Sequence, residues 1–208
     1  MNRIIFIIEE ISSEGGQDSL VRRVTEQLLF LESRSKEPIH VFIDTGGGNV
    51  QTALCLFELF KICRSPIYTY GLSEVSSAGI LLFLAGSKRF SLKYTQFMSH
   101  PSILSMTASS EDFEATSESL LIQGSQVKQI FKSTLKISDK KFKDLHSSTH
   151  YIWPKEALKL KIVTSIIDKL PIVVIEESSQ FSEKDMEYIE KATSFYKESK
   201  KHLLAADY

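Results

Sequence analysis

Within its first hundred residues the chain repeatedly follows a short run of β-branched and aromatic residues with a longer stretch of helical periodicity. Arg3 to Ile8 reads as a strand broken by Gly15-Gly16. Leu20, Val24, Leu28 and Leu31 then recur at helical spacing, with Asp18 or Ser19 placed to cap. Ile39 to Ile43 forms a second strand, followed by the loop Asp44-Thr45-Gly46-Gly47-Gly48 and a helix from about Val50 to Cys63 capped by Asn49. A third strand, Ile67 to Tyr70, ends at Gly71 in a small polar turn through Ser77. Ala78 to Leu84 is apolar on every side, as a helix buried inside a fold is. Short strands follow at Arg89 to Ser91 and Gln96 to Ser99. Strands separated by helices pair in parallel through right-handed crossovers, so this order predicts an α/β fold on a parallel sheet built from βαβ units.

Beyond Pro101 the texture changes. Ser102 to Ser110 is polar, and a long helical pattern from about Glu111 to Lys132 reads as a projecting arm. Ser138 caps a short helix through Leu145, Pro154 suits a first helical position, and Ile162 to Ile167 returns to strand-like residues. After Pro171 come a strand, Ile172 to Ile175, and a charged helix from Ser182 towards Leu204. The expected division is one domain over 1–170, with the arm at about 101–135, and a C-terminal extension over 171–208.

With 208 residues, 42% hydrophobic, and 25 basic against 26 acidic side chains, one sizeable core is expected and a nucleic-acid-binding coat of positive charge is not. The longest apolar run, Ala78 to Ala85, falls well short of the roughly 20 residues a membrane helix needs. Ile4 to Ile8 meets Glu9-Glu10 instead of a signal-peptide cleavage site, so a cytoplasmic protein is expected. Cys55 and Cys63 share one apolar helical pattern with no Cys or His at ligand spacing. They read as two reduced core thiols rather than a disulfide or a metal site, and no cofactor is implied.

Three local features bear on chemistry. Ser77 stands between a strand and the start of a buried helix, where a hydroxyl is either a cap or a nucleophile on a rigid support beside free amides. Gly46-Gly47-Gly48 follows a strand directly; it is a permissive turn, or a loop whose amides reach an oxyanion, and it matches no phosphate-loop pattern. His100 ends the strand Gln96 to Ser99. On the same sheet edge as a serine, it meets the first requirement of acyl transfer, a base within reach of the nucleophile.

Taken together and in this order, these features resemble the Clp protease proteolytic subunit family, within the superfamily that also holds the crotonases. Arg3-Ile4-Ile5-Phe6, Gln27 to Glu32 and Ile39 to Asp44 resemble its first strand, first helix and second strand. Thr45-Gly46-Gly47-Gly48-Asn49-Val50 is similar to its Ser-Pro-Gly-Gly-Ser-Val loop, with Gly46 in place of proline. Ser77-Ala78-Gly79 followed by Leu82 to Gly86 resembles its nucleophile turn, and Phe97-Met98-Ser99-His100-Pro101 its histidine segment. Lys155-Glu156-Ala157 through Val163 is similar to a motif near the end of the domain. The resemblance covers about Arg3 to Asp168.

The resemblance implies a serine endopeptidase that hydrolyses unfolded polypeptides through an acyl-enzyme. Ser77 would be the nucleophile, His100 the base, and the Gly48 and Ala78 amides the oxyanion hole. Gly46, Gly47 and Asn49 would line the substrate groove. It also implies a homo-oligomer of two stacked heptameric rings, a tetradecamer joined by the arm as a handle, and an AAA+ ATPase partner. Two departures stand out. Counting back without a gap from Glu156-Ala157, the family's catalytic aspartate position holds Thr149, which leaves a slower dyad, a role for nearby Asp144, or a weakly active or inactive ring subunit. The chain also begins almost at the first strand, so the family's axial loops would be absent or very short. A crotonase-type acyl-CoA enzyme shares the sheet and the oxyanion amides, but no acidic residue stands where its proton transfers need one.

Overall fold

A computed structural model of the chain describes residues 3–13, 19–101 and 109–170, which lie in one compact unit, Arg3–Leu170. The expected strand at 172–175 and helix at 182–204 fall outside the described residues, as does the segment 102–108.

The elements follow from their local chemistry. Strand β1 (Ile4–Ile7) leads to helix α1 (Leu20–Arg34), which starts where Ser19 Oγ accepts the Arg22 amide and buries Leu20, Val24, Leu28 and Leu31. Strand β2 (Ile39–Thr45) leads to helix α2 (Val50–Ile62), capped by Asn49, whose Oδ1 accepts the Thr52 amide at 2.8 Å. Strand β3 (Ile67–Ser76) leads to helix α3 (Gly79–Leu84), all of whose residues are buried. Strands β4 (Lys88–Ser91) and β5 (Gln96–Ser99) precede helix α4 (Ser110–Leu135), whose second half buries Val127, Ile130, Phe131 and Leu135. Phe113, Leu121 and Ile122 on its first half are exposed. Helix α5 (Asp139–His146), strand β6 (His150–Ile152), helix α6 (Pro154–Lys159) and strand β7 (Ser165–Ile166) complete the unit. No helix among the described residues is long and apolar enough to cross a membrane.

The sheet runs β1-β2-β3-β4-β7, all parallel, with β5 added parallel to β3 and β6 antiparallel to β5. The parallel α/β expectation is met. The polar turn expected at 71–77 is instead the second half of β3. Between the pairs Ile43↔Gly71 and Thr45↔Val75, Asp44 alone lies opposite Leu72, Ser73 and Glu74. This is a bulge, and the Asp44 carboxylate pins it by accepting the Glu74 amide at 2.8 Å. Below the bulge β3 pairs with β4; above it, Glu74 to Ser76 pair with β5. Small polar residues therefore mark a strand changing partners, and that change aims Ser77.

One cysteine expectation is corrected. Cys63 is partly covered, its thiol pushed up to about 11 by burial and by Glu32, but Cys55 is exposed. Apolar residues occupy so much of α2 that spacing alone does not show which side faces water.

Candidate active site

Ser76 pairs with Met98 in the parallel β3·β5 ladder, so the chains leaving these strands stand side by side at the same level. Ser77, the next residue, adopts a left-handed backbone with φ of 53°. That conformation costs a non-glycine residue about 1–2 kcal/mol and is held by its surroundings. The Ser77 amide donates to the Met98 carbonyl at 2.7 Å, and the Ser77 carbonyl accepts from the Ile80 amide at 3.1 Å. His100 emerges two residues beyond Met98. Its Nε2 lies 2.8 Å from Ser77 Oγ, within reach for proton transfer.

The glycine loop is built against both the serine and the N-terminal segment. The Ile11 amide donates to the Gly47 carbonyl at 2.7 Å, and the Ile11 carbonyl accepts the Asn49 amide at 2.6 Å. This pairing flanks Gly48 and leaves its amide outside the Ile11 bridge. Gly47 and Gly48 have φ of 107° and 130°, which favour glycine strongly. A Cβ on Gly47 would stand 2.6 Å from Ser77 Cβ and 3.2 Å from the Ala78 amide nitrogen, so the loop backbone is packed directly on the serine turn.

A cleft of about 250 Å³ joins these parts. Gly48, Asn49, Ser77, Ala78 and His100 line one side, and Leu81, Val127 and Phe131 give it an apolar wall. Of the residues expected at the site, these five converge on the cleft, with Gly47 immediately behind Ser77. Gly46 has open space around its Cα.

Thr149 is placed differently. It is exposed, between α5 and β6, and does not line the cleft. Asp144 is likewise exposed on α5. Among the described residues no carboxylate hydrogen-bonds to His100. The side chain that does reach this region is His146, at the end of α5, whose Nδ1 lies 2.9 Å from Ser99 Oγ. Its signal in the sequence is its spacing four residues after Phe142, which puts both on the inward face of the short helix. No group of three or more His, Cys, Asp or Glu converges to hold a metal among the described residues.

The Clp protease family model matches residues 1–170. The ATP-dependent Clp protease proteolytic subunit 2 of Treponema pallidum is 28% identical over 162 residues, 76% of this chain and 81% of that one. The proteolytic subunit 1 of Prochlorococcus marinus is 26% identical over 175 residues, 83% of this chain and 87% of its own. Among solved structures, a ClpP1 mutant from Listeria monocytogenes superposes with a TM-score of 0.72 at 27% identity, covering 81% of this chain and 92% of that one. With the family model spanning the whole compact unit, the chain belongs to the Clp protease family.

Proposed function

We propose that this chain is a serine endopeptidase subunit acting on extended, unfolded polypeptides. The observation that carries the reading is the 2.8 Å contact of His100 Nε2 with Ser77 Oγ on a serine held in a left-handed turn. Ser77 Oγ attacks the scissile carbonyl while His100 Nε2 takes its proton. The Gly48 and Ala78 amides receive the developing oxyanion, each contributing on the order of 10²–10³ in rate. His100 then protonates the leaving amine, and water, deprotonated by His100, releases the acyl group. The backbone of Gly46 to Asn49 lies along the groove and pairs with the substrate chain.

Among the described residues no carboxylate hydrogen-bonds to His100, and loss of that partner from a Ser-His-Asp triad costs about 10⁴ in kcat. The chemistry is therefore a dyad, slower than a full triad. The exposed position of Thr149 favours one second reading, a ring subunit that keeps the fold and contributes little hydrolysis. In either reading the subunit assembles as two stacked heptamers, α4 serving as the handle between rings, with an AAA+ ATPase feeding the chamber. Confinement of this kind protects folded neighbours from a broad-specificity peptidase.

A fluorophosphonate probe decides between the two. The expected result is covalent labelling of the assembled protein and cleavage of an unfolded reporter, both lost in Ser77→Ala with a rate fall of at least about 10³-fold. Absence of Ser77-dependent label in assembled protein would overturn the peptidase reading.

A further inference from the structure

The ring of His146 faces the cleft beside His100. Its Nδ1 is fixed 2.9 Å from the hydroxyl of Ser99, a buried residue adjacent to His100 in the chain. Aromatic rings cover it elsewhere, with the Phe142 centroid at 5.0 Å and that of Phe131 at 6.0 Å. The titratable groups around it are His100 just after β5, Lys128 from α4, and Asp139, Lys140 and Lys143 from its own helix. Asp139 is already engaged by Lys132 at 2.6 Å and Lys128 at 3.4 Å. On β6, His150 pairs with Ser99 and turns its ring to Glu156 at 3.4 Å. Among the described residues, then, no carboxylate hydrogen-bonds to His146 or to His100. Burial, and secondarily the charge of His100, push the His146 imidazole below its ordinary value.

We propose that His146, pinned by Ser99, is a positioning residue whose ring must be uncharged for His100 to accept the Ser77 proton. The inference rests on the peptidase reading above. In acylation the Ser77 Oγ–H bond breaks and its proton goes to His100 Nε2. The Oγ lone pair forms the bond to the carbonyl carbon, and the carbonyl π pair moves to oxygen. His100 gains a full positive charge with none of the described carboxylates bonded to it. A second charge on His146, a ring across the same small cleft, opposes that step directly. A neutral His146 still holds Ser99 and packs against Phe142, so it shapes the base's surroundings without competing with it.

The reactive free enzyme must then carry neither imidazole proton, and both groups appear on the acid limb of kcat/KM. The sign is fixed: each proton added inactivates, so activity falls as pH drops. It falls more steeply once His146, with its lowered value, also protonates. The experiment measures Ser77-dependent fluorophosphonate labelling rates of the assembled protein against pH, for the parent and for His146→Asn. Asparagine keeps a hydrogen bond to Ser99 and does not titrate. The parent is expected to approach a hundredfold loss per pH unit at the acid end, and His146→Asn a tenfold loss. A tenfold slope in both, or a hundredfold slope in both, overturns the inference. If no Ser77-dependent label forms at any pH, the peptidase reading fails. The coupling is then read separately, from the pH dependence of His146 carbethoxylation followed by mass spectrometry. Its midpoint should rise in His100→Asn, and an unmoved midpoint overturns the pairing of the two rings.

Discussion

Gly48→Ala is expected to abolish Ser77-dependent labelling and peptide hydrolysis, with Gly47→Ala close behind. At Gly48 a Cβ would stand 2.3 Å from the Ile11 carbonyl oxygen and 2.9 Å from its carbon, and neither is a flexible side-chain end that can move aside. The φ of 130° adds strain for any side chain. Relief requires the Ile11 bridge to open, which frees the Gly47 carbonyl and the Asn49 amide and swings the proposed oxyanion donor out of line. Loss of that donor alone costs about 10²–10³ in rate, and disorder of the loop adds to it. At Gly47 the intruding Cβ meets Ser77 Cβ and the Ser76 carbonyl, at 2.6 and 2.8 Å, so the damage falls on the nucleophile's own backbone. Gly124→Ala is the matched control, the same chemical change in the middle of α4 with nothing within 4 Å. It should label like the parent and gain about 0.5–1 kcal/mol of helix stability. Gly46→Ala also meets open space, so its effect is confined to how a peptide is held and shows in KM. Probe labelling rates at neutral pH on size-fractionated protein test the series; a Gly48→Ala protein that labels within tenfold of the parent would refute the assignment of the loop.

These glycines illustrate what the sequence makes legible. Strand and helix alternation specifies the parallel core because a crossover fold leaves a direct imprint: β-rich apolar runs, each followed by a helix, with Ser19 and Asn49 capping the first two. Ser77, His100 and the glycine loop were found from their places at strand ends, where side chains and free amides meet at one edge. What escaped depended on long-range pairing. His150 to Ile152 is too short to read as a strand by itself, with Tyr151 exposed, and forms β6 by pairing with the edge that β5 offers. The residues Leu72 to Glu74 carry turn chemistry but serve a bulge, a distinction set by what β2 and β5 do around them. Counting along the chain identified Thr149 with the family's acid position. The path of the backbone from α5 into β6 leaves it exposed and brings His146 to the cleft instead. A gapless count preserves sequence position, whereas a side chain's direction depends on helix phase, and α5 ends on the phase that turns His146 inward.

Arg89→Met is expected to destabilise the fold by about 3 kcal/mol or more, through polar groups left without a partner rather than through lost volume. Arg89 is only 9% exposed, yet among the described residues it pairs with no carboxylate. Its Nε donates to the Ile162 carbonyl at 2.8 Å, one terminal nitrogen to Gly86 at 2.9 Å and the other to Lys161 at 2.8 Å. Burial presses its ionisation down, but three carbonyl dipoles directed at one planar fork compensate. Lys161 itself has a φ of 61°, so its carbonyl is presented by a left-handed turn that the guanidinium helps to hold. The geometry ties together the end of α3, the start of β4 and the turn that delivers β7. Methionine fills much of the space and satisfies none of the carbonyls. Arg89→Lys should recover little, because a single ammonium cannot reach three acceptors spread around a plane. At fixed protomer concentration, which assembly makes essential, the thermal midpoint should fall by roughly 6–12 °C in Arg89→Met. A fall of less than about 2 °C would mean that water satisfies these carbonyls and that the fork is dispensable. Since α3 carries the Ser77 turn at its other end, the same variant should label more slowly at temperatures where it remains folded. That loss should come with its rate, not its pH profile, changed, which separates a loosened support from the charge coupling at His146.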